Sequence, residues 1–217
     1  MEKFVQESIS KAESYVSKLS EEILYMEGMS GLKTRHFYNN LLEYPEDPRY
    51  LEIGTWKGSS VCSAMYNNKA NVTCVDNFSE FNGPKDEFVK NLERYKGENS
   101  VKFYDSDCWS LDTSSLGKFN IYLYDGGHTY EDHYKALEYF YPCLDDKFVF
   151  IVDDWNWKPV RDGTFDAIKK LNLNITFQHL IRLTDNDTHT PPILHGQFTW
   201  HNGIGIFVLE KDLKDST

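Results

Sequence analysis

Four side chains have the types and spacing of a catalytic centre at the ends of two expected strands. Asp125 ends the segment IYLYD, and His128 follows three residues later, after two glycines. The pair Asp153–Asp154 ends the segment FVFIVDD. Because adjacent strands of a parallel sheet lie about 4.8 Å apart, these groups can meet at one edge of a sheet. Three carboxylates at one point repel unless their pKa values rise or a cation lies between them.

A divalent cation is the expected partner of these carboxylates. Oxygen ligands favour Mg²⁺, with Mn²⁺ second, and we predict Asp125, Asp153 and Asp154 as the ligands. Such an ion holds substrate oxygens and lowers the pKa of a hydroxyl group. His128 titrates near neutrality, so we predict that it is the general base, with Asp125 beside it.

Each of these residues also has an ordinary structural interpretation. Asp153 or Asp154 could cap the segment that follows, and His128 could be a surface residue near a helix start. Trp155 and Trp157 either line an aromatic acceptor pocket or pack the loop. The catalytic role of the aspartate pair and the histidine is therefore a hypothesis. For the two tryptophans, the pocket and the packing interpretations both remain open.

A glycine-containing turn in the segment YLEIGTWKGSS, residues 50–60, predicts a nucleotide-like ligand. Gly54 permits a tight turn after a strand, and Gly58 permits close packing of the helix that follows. The helix start offers free backbone N–H groups. We predict ligand contacts from this turn at Glu52, Gly54, Thr55, Gly58, Ser59 and Ser60.

The spacing of the turn favours S-adenosylmethionine (SAM) over a dinucleotide. A dinucleotide motif places a glycine at the position of Trp56, where backbone approaches the pyrophosphate. SAM has no pyrophosphate, and Glu52 could receive the ammonium group of its methionine moiety. Asp76 ends the next strand, VTCVD, where an acid can accept the ribose hydroxyls. Asp107 follows the third strand, and we expect it to accept the adenine amino group.

The surrounding pattern predicts an α/β fold with a Rossmann-like, doubly wound, mainly parallel sheet. We expect strands near 50–53, 72–76, 101–104, 120–124, 148–152, 175–182 and 204–209. Helices are expected near 58–68, 84–96, 129–141 and 162–171. The last two strands lack a helix between them, so we expect an antiparallel last strand, as in the class I methyltransferase fold.

Residues 1–45 are predicted to be N-terminal helices that belong to the same domain as residues 46–217, the SAM-binding domain. Apolar residues at helical spacing predict helices over 4–27 and 32–42. The long loop 185–202 contains His189, Pro191, Pro192, His195 and Trp200, and with the N-terminal helices it is expected to close the pocket. A homodimer is one way to bury the apolar face of the first helix, and packing on its own domain is another.

Composition excludes several classes of partner. The 217 residues carry a formal net charge of −11, without the basic face of a nucleic-acid-binding protein. Neither a membrane span nor a signal peptide is expected. The cysteines lack a C-x-x-C pair, which is typical of a reduced, cytoplasmic protein.

Together, LEIGTWKGSS, VTCVDNFSEF, YDGGHTYED and VDDWNW resemble class I SAM-dependent methyltransferases. They are most similar to the metal-dependent O-methyltransferases of the macrocin and mycinamicin sugar type. The resemblance implies that Asp125, Asp153 and Asp154 bind Mg²⁺ and that His128 is the base. This chain has Asp-Asp where those enzymes have Glu-Asp, and we expect it to lack their long N-terminal domain.

The leading hypothesis is Mg²⁺-dependent O-methylation of a hydroxyl on a small molecule, such as a sugar or a diol. Two alternatives remain: a SAM-binding module without methyl transfer, and an NAD-dependent oxidoreductase, which Trp56 opposes.

Overall fold

Seven strands form one sheet in the computed structural model, which describes residues 1–191 and 197–212. The order across the sheet is β3-β2-β1-β4-β5-β7-β6. Neighbours from β3 to β5 are parallel, whereas β7 is antiparallel to both β5 and β6. The strands are β1 Arg49–Ile53, β2 Asn71–Asp76, β3 Ser100–Asp105, β4 Phe119–Tyr124, β5 Leu144–Asp153, β6 Asn174–Ile181 and β7 Ile204–Glu210. The predicted α/β architecture with an antiparallel last strand is confirmed.

Seven α-helices cover the sheet among the described residues. They are α1 Glu2–Glu13, α2 Glu21–Leu24, α3 Leu32–Leu41, α4 Ser59–Met65, α5 Lys85–Tyr95, α6 Tyr130–Phe140 and α7 Lys158–Lys170. Short 3-10 turns lie at Cys108–Ser110 and Tyr141–Cys143.

The central strands are apolar because helices cover both of their faces. In β5, Val149 and Ile151 belong to one hydrophobic cluster, while Phe148, Phe150 and Val152 belong to the other. Alternate side chains of a strand point to opposite faces, so a continuous apolar run fills two cores at once. This double burial suits the interior position of β5 between β4 and β7, where its carboxyl end lies beside that of β4.

The first predicted helix is wrong in its extent. A single helix over 4–27 was expected, but α1 ends at Glu13 and Tyr15 has a φ of +55°. The side chain of Asn40 donates to the Val16 carbonyl, and Asn39 accepts from the Lys18 N–H. These asparagines give the backbone partners that a helix would otherwise supply, so the chain turns here.

The N-terminal helices pack on the rest of the same chain. Val5, Ile9 and Ala12 of α1 belong to the same buried cluster as Val61 of α4. The apolar face that offered a reason for a homodimer is therefore covered within one chain. No described helix is both long and apolar enough to cross a bilayer.

Candidate active site

The turn after β1 brings backbone against the end of β4. Gly54 has a φ of +85°, and a Cβ built there would lie 1.9 Å from the Asp125 carbonyl oxygen. Gly58, with a φ of +84°, precedes α4, and a Cβ there would meet the Phe88 ring at 3.1 Å. Both positions need glycine because their backbone is left-handed, and Gly54 needs it also because of its close approach to Asp125. The sequence pattern thus has a steric cause.

Asp76 holds this turn in place from the end of β2. Its Oδ2 accepts from the Thr55 N–H at 2.7 Å and from the Trp56 N–H at 2.8 Å. Its Oδ1 accepts from the Phe78 N–H at 2.7 Å. The structure therefore gives Asp76 a structural part in addition to the ribose contact predicted from the sequence.

Glu52 lies beneath the turn and is not part of the cavity wall. Its carboxylate is fully buried and accepts hydrogen bonds from the Tyr50 hydroxyl at 2.6 Å and from the Ser60 hydroxyl. Burial raises the pKa of Glu52 to about 8. Ser60 itself lines the cavity, so the side chain expected to meet the methionine ammonium is separated from the cavity by Ser60.

The turn and the strand ends enclose one cavity of about 650 Å³, a volume typical of small-molecule sites. Gly58, like Glu52, lies outside its wall among the described residues. The structure brings the other predicted residues together around it: Gly54, Thr55, Ser59, Ser60, Asp76, Asp107, Asp125, His128, Asp153 and Asp154.

Asp125, His128 and Asp154 form the polar centre of the cavity. Their ligand atoms all lie within 4.8 Å of one another, and the described residues contain no other such group. His128 Nε2 lies 2.6 Å from Asp154 Oδ2 and 3.9 Å from Asp125 Oδ1. Asp153 Oδ1 accepts from the Asp154 N–H at 2.9 Å. Asp153, predicted as a ligand, lines the same cavity but is not a member of this group, whereas His128 is.

The electrostatics of this centre follow from burial and proximity. The adjacent carboxylates hold the pKa of His128 at about 10, despite the opposing effect of burial. Burial raises the pKa of Asp125 to about 6 and that of Asp153 well above its ordinary value. The pKa of Asp154 is lowered, because its contact with His128 outweighs burial. Without another cation, a proton on His128 supplies the charge that balances the carboxylates.

Asp154 shows two further signs of a ligand-binding position. Its φ is +55°, which is uncommon for a residue with a Cβ and is found preferentially at functional sites. Its Oδ1 is buried without a hydrogen-bond partner. A buried polar atom without a partner requires an explanation, and a bound ion is one. Two carboxylates and an imidazole therefore fit a divalent cation.

Sequence reasoning missed the wall formed by Met29 and Ser30. The buried guanidinium of Arg35 donates to five carbonyls of the segment 23–30, which is here called the strap. These bonds hold the strap over α4. Ser30 and Ser59 also join through their hydroxyls at 2.9 Å. No local pattern marks such a strap, because its partners are backbone carbonyls.

His201 and Asn202 also line the cavity and were missed. They precede β7, which runs antiparallel to β5, with Ile204 opposite Asp153. The start of β7 therefore meets the carboxyl end of β5. The polar pair before an antiparallel last strand was a signal that the sequence did contain.

The cavity wall is strongly acidic. Among the described residues that form it, none is a lysine or an arginine. Seven carry carboxyl groups: Asp76, Glu80, Asp107, Asp125, Asp132, Asp153 and Asp154. This charge favours cationic ligands such as a sulfonium group or a metal ion.

Comparison with known proteins gives a domain-level match. The family described as "Methyltransferase domain" matches residues 51–155. No curated protein sequence matches the chain.

Solved structures share the fold at low sequence identity. The O-methyltransferase TomG from Streptomyces achromogenes, in complex with SAM, has a TM-score of 0.60 and 13% identity, covering 94% of this chain and 90% of TomG. A protein from Pyrococcus horikoshii with a suggested RNA methyltransferase activity has a TM-score of 0.56 and 13% identity, covering 97% and 98%.

TrmN from Thermus thermophilus has a TM-score of 0.59 and 12% identity over 88% of this chain, which spans about half of TrmN (52%). The matched domain and the shared fold support a SAM-dependent methyltransferase with the class I architecture.

Proposed function

We propose that this protein transfers the methyl group of SAM to a hydroxyl oxygen of a small molecule, with the aid of a divalent cation. The observation that carries the proposal is the group formed by Asp125, His128 and Asp154, which shares a cavity with the glycine turn. It joins a methyl-donor site to a place where a hydroxyl can be deprotonated.

The methyl-donor part rests on the turn between β1 and α4. Its glycines, Ser59 and Ser60 form one wall, and Asp76 and Asp107 lie at the next two strand ends. TomG, of the same fold, was solved in complex with SAM. When bound, SAM supplies an electrophilic methyl group on sulfur, and the acidic wall favours its positive charge.

Asp125 and Asp154 are the residues that would hold a divalent cation, beside His128. Mg²⁺ suits their oxygens, and the nearby imidazole makes Mn²⁺ a second candidate. Such an ion would bind acceptor oxygens and lower the pKa of a hydroxyl group.

His128 acts as the base in this proposal. In its neutral form, Nε2 accepts the hydroxyl proton of the acceptor, and Asp125 and Asp154 stabilise the imidazolium that forms. Because the two carboxylates raise the pKa of His128 to about 10, the neutral form is scarce at neutral pH. A cation beside the carboxylates favours the neutral form, so cation binding and base function support each other.

A sugar or another diol is the proposed acceptor. This part rests on the sequence resemblance to the macrocin and mycinamicin type and on a cavity of small-molecule size. RNA is the rival acceptor, since one structural neighbour has a suggested activity on RNA. The net charge of −11 favours the small molecule.

The first experiment measures binding by calorimetry and methyl transfer to a panel of sugars and diols, with and without EDTA. We expect SAM to bind, EDTA to abolish transfer, and Asp125→Asn to reduce it at least 100-fold. Asp112→Asn is the matched control, because Asp112 is exposed and only bonds its own turn.

Binding of NAD without binding of SAM would overturn the proposal. SAM binding without transfer to any acceptor would support a binding module instead. Full activity in EDTA would remove the cation from the mechanism.

A further inference from the structure

The far end of the cavity, beyond Asp154, contains polar groups that the proposed chemistry does not use. Trp157, His189, His201 and Asn202 form this part of the wall. They come from the segment after β5 and from the long connection between β6 and β7. This set is here called the acceptor wall, and it lies beside the Asp–His centre, since the Trp157 and His128 ring centroids are 4.9 Å apart.

The acceptor wall is held rigidly by hydrogen bonds. The side chain of Asn202 meets His189 Nδ1 at 3.1 Å and accepts from the Thr190 N–H at 3.0 Å. The Asn156 N–H donates to the Asn202 carbonyl at 2.9 Å. The Trp157 ring stands edge-on between His128 and His189, with ring centroids 4.9 and 4.8 Å away. A wall fixed in this way presents one arrangement of polar groups.

His201 differs from its neighbours because its Nδ1 is buried without a hydrogen-bond partner. Its backbone has a φ of +53°, an uncommon conformation for a residue with a Cβ. Such backbone conformations persist where the surroundings enforce them and are concentrated at functional sites. A neutral imidazole offers one donor and one acceptor, so the nitrogen without a partner fits a hydroxyl group of a ligand.

The charge of the cavity restricts the ligand further. Its described wall contains seven carboxyl groups and neither lysine nor arginine. Apart from His128 and the divalent cation proposed beside it, a phosphate or carboxylate on the acceptor would meet no cationic group there and would face like charge. An uncharged ring with hydroxyl groups meets the imidazoles and the tryptophan edge without that cost.

We propose that the acceptor wall binds an uncharged, hydroxyl-bearing ring, with His201 Nδ1 hydrogen-bonded to one hydroxyl, and that it rejects acceptors carrying phosphate or carboxylate groups. This inference rests on the proposed function, since it describes the second substrate of that site. A free sugar ring and a catechol share this chemistry.

The test uses the whole protein saturated with S-adenosylhomocysteine and Mg²⁺. Calorimetry compares two neutral probes, catechol and methyl α-glucopyranoside, with their carboxylate analogues, 3,4-dihydroxybenzoate and glucuronate. We expect at least one neutral probe to bind, and its carboxylate analogue to bind at least 10-fold more weakly. The probe that binds identifies the source of the ring.

The variant His201→Asn removes the imidazole but suits the left-handed backbone, which asparagine tolerates. We expect it to weaken the neutral probe at least 10-fold and to leave S-adenosylhomocysteine affinity within 2-fold. His179→Gln is the control, because His179 lies on β6 outside the cavity wall, and we expect no change.

Three results would overturn the inference: neither neutral probe binds, the carboxylate analogue binds as tightly, or His201→Asn binds like the wild type. Failure of the proposed function is distinguishable, because it appears as loss of S-adenosylhomocysteine binding itself. Methylation of an anionic acceptor would contradict this inference but would agree with the proposed function.

Discussion

At the scale of single residues, His128 is the most informative group because its environment works against its proposed role as a base. A base must be neutral, yet Asp125 and Asp154 hold the pKa of His128 at about 10. Asp125, with Oδ1 3.9 Å from Nε2, and Asp154, with Oδ2 2.6 Å from it, both raise this pKa. The charges of these two carboxylates therefore control how much of His128 is neutral.

We expect Asp154→Asn to lower the pKa of His128 in the metal-free protein, because the variant removes the closer of two stabilising charges. NMR titration of the imidazole, assigned with His128→Gln, measures the shift. Adding Mg²⁺ to the wild type should lower the same pKa. An unchanged titration in Asp154→Asn, with the control Asp112→Asn also unchanged, would contradict the assigned geometry.

Gly54 allows a matched test of steric fit at the turn. In Gly54→Ala, the new methyl group would lie 1.9 Å from the Asp125 carbonyl oxygen. We expect a loss of about 2–4 kcal/mol in the free energy of unfolding and a weaker affinity for SAM. Urea unfolding and calorimetry measure the two effects.

Gly97→Ala is the control, because Gly97 has a φ of +51° but no atom closer than 4.0 Å to a Cβ. It should cost about 1 kcal/mol from backbone strain alone and leave SAM affinity unchanged. Equal losses in both variants would show that the close approach of Gly54 to β4 does not matter.

The carboxyl ends of β2, β4 and β5 could be predicted from the sequence because an acid follows each apolar run, and that of β1 because a glycine turn follows it. The fate of Glu52 could not be predicted in this way. Its position matches a ligand-binding acid, but Tyr50 and Ser60 enclose its carboxylate. That enclosure depends on two side chains whose directions no one-dimensional pattern records.

At the scale of elements, the position of the strap, residues 23–30, depends on Arg35 of α3. The guanidinium is buried, and burial lowers its pKa to about 10. In Arg35→Met, buried carbonyls lose their donors, so we expect a loss of about 3 kcal/mol in the free energy of unfolding. SAM affinity should also fall, because Met29 and Ser30 of the strap form part of the cavity wall.

The control for this variant is Arg94→Met. Arg94 pairs with Glu22 at the surface, with both side chains more than half exposed, so its loss should cost less than about 1 kcal/mol. Urea unfolding compares the two variants. Similar losses would mean that the guanidinium does not support the strap.

The elements that periodicity predicted well are those with a single apolar stripe or run, such as α6 and β5. The prediction of a helix over 14–20 was wrong. The apolar residues there continue the helical spacing, but Asn39 and Asn40 form hydrogen bonds with the backbone of this segment. Loop 185–202 closes the cavity only in part as expected: His189 and Asn202 line it, whereas Trp200 packs in the core. Pro192 and His195 lie outside the described residues.

At the scale of the whole molecule, the charge of the protein distinguishes between the two candidate acceptors, a small molecule and RNA. A net charge of −11 and an acidic cavity oppose a polyanion. We expect no binding of transfer RNA at about 0.15 M salt in a gel-shift assay, and no methyl transfer to it from labelled SAM. Binding that weakens steeply with salt, together with RNA methylation, would favour RNA over the small molecule.

The start of α3, which follows the strap, and the segment before β7 are joined across the molecule. The Leu32 N–H donates to the Gln197 carbonyl and the Lys33 N–H to the Thr199 carbonyl, both at 3.0 Å. The donor side of the cavity comes from the middle of the chain, whereas this joined pair of segments comes from near its two ends. Residues 1–45 and the described residues of 182–203 are therefore expected to be exchangeable between homologues only as one unit. Swapping either segment alone would break the hydrogen bonds that join them.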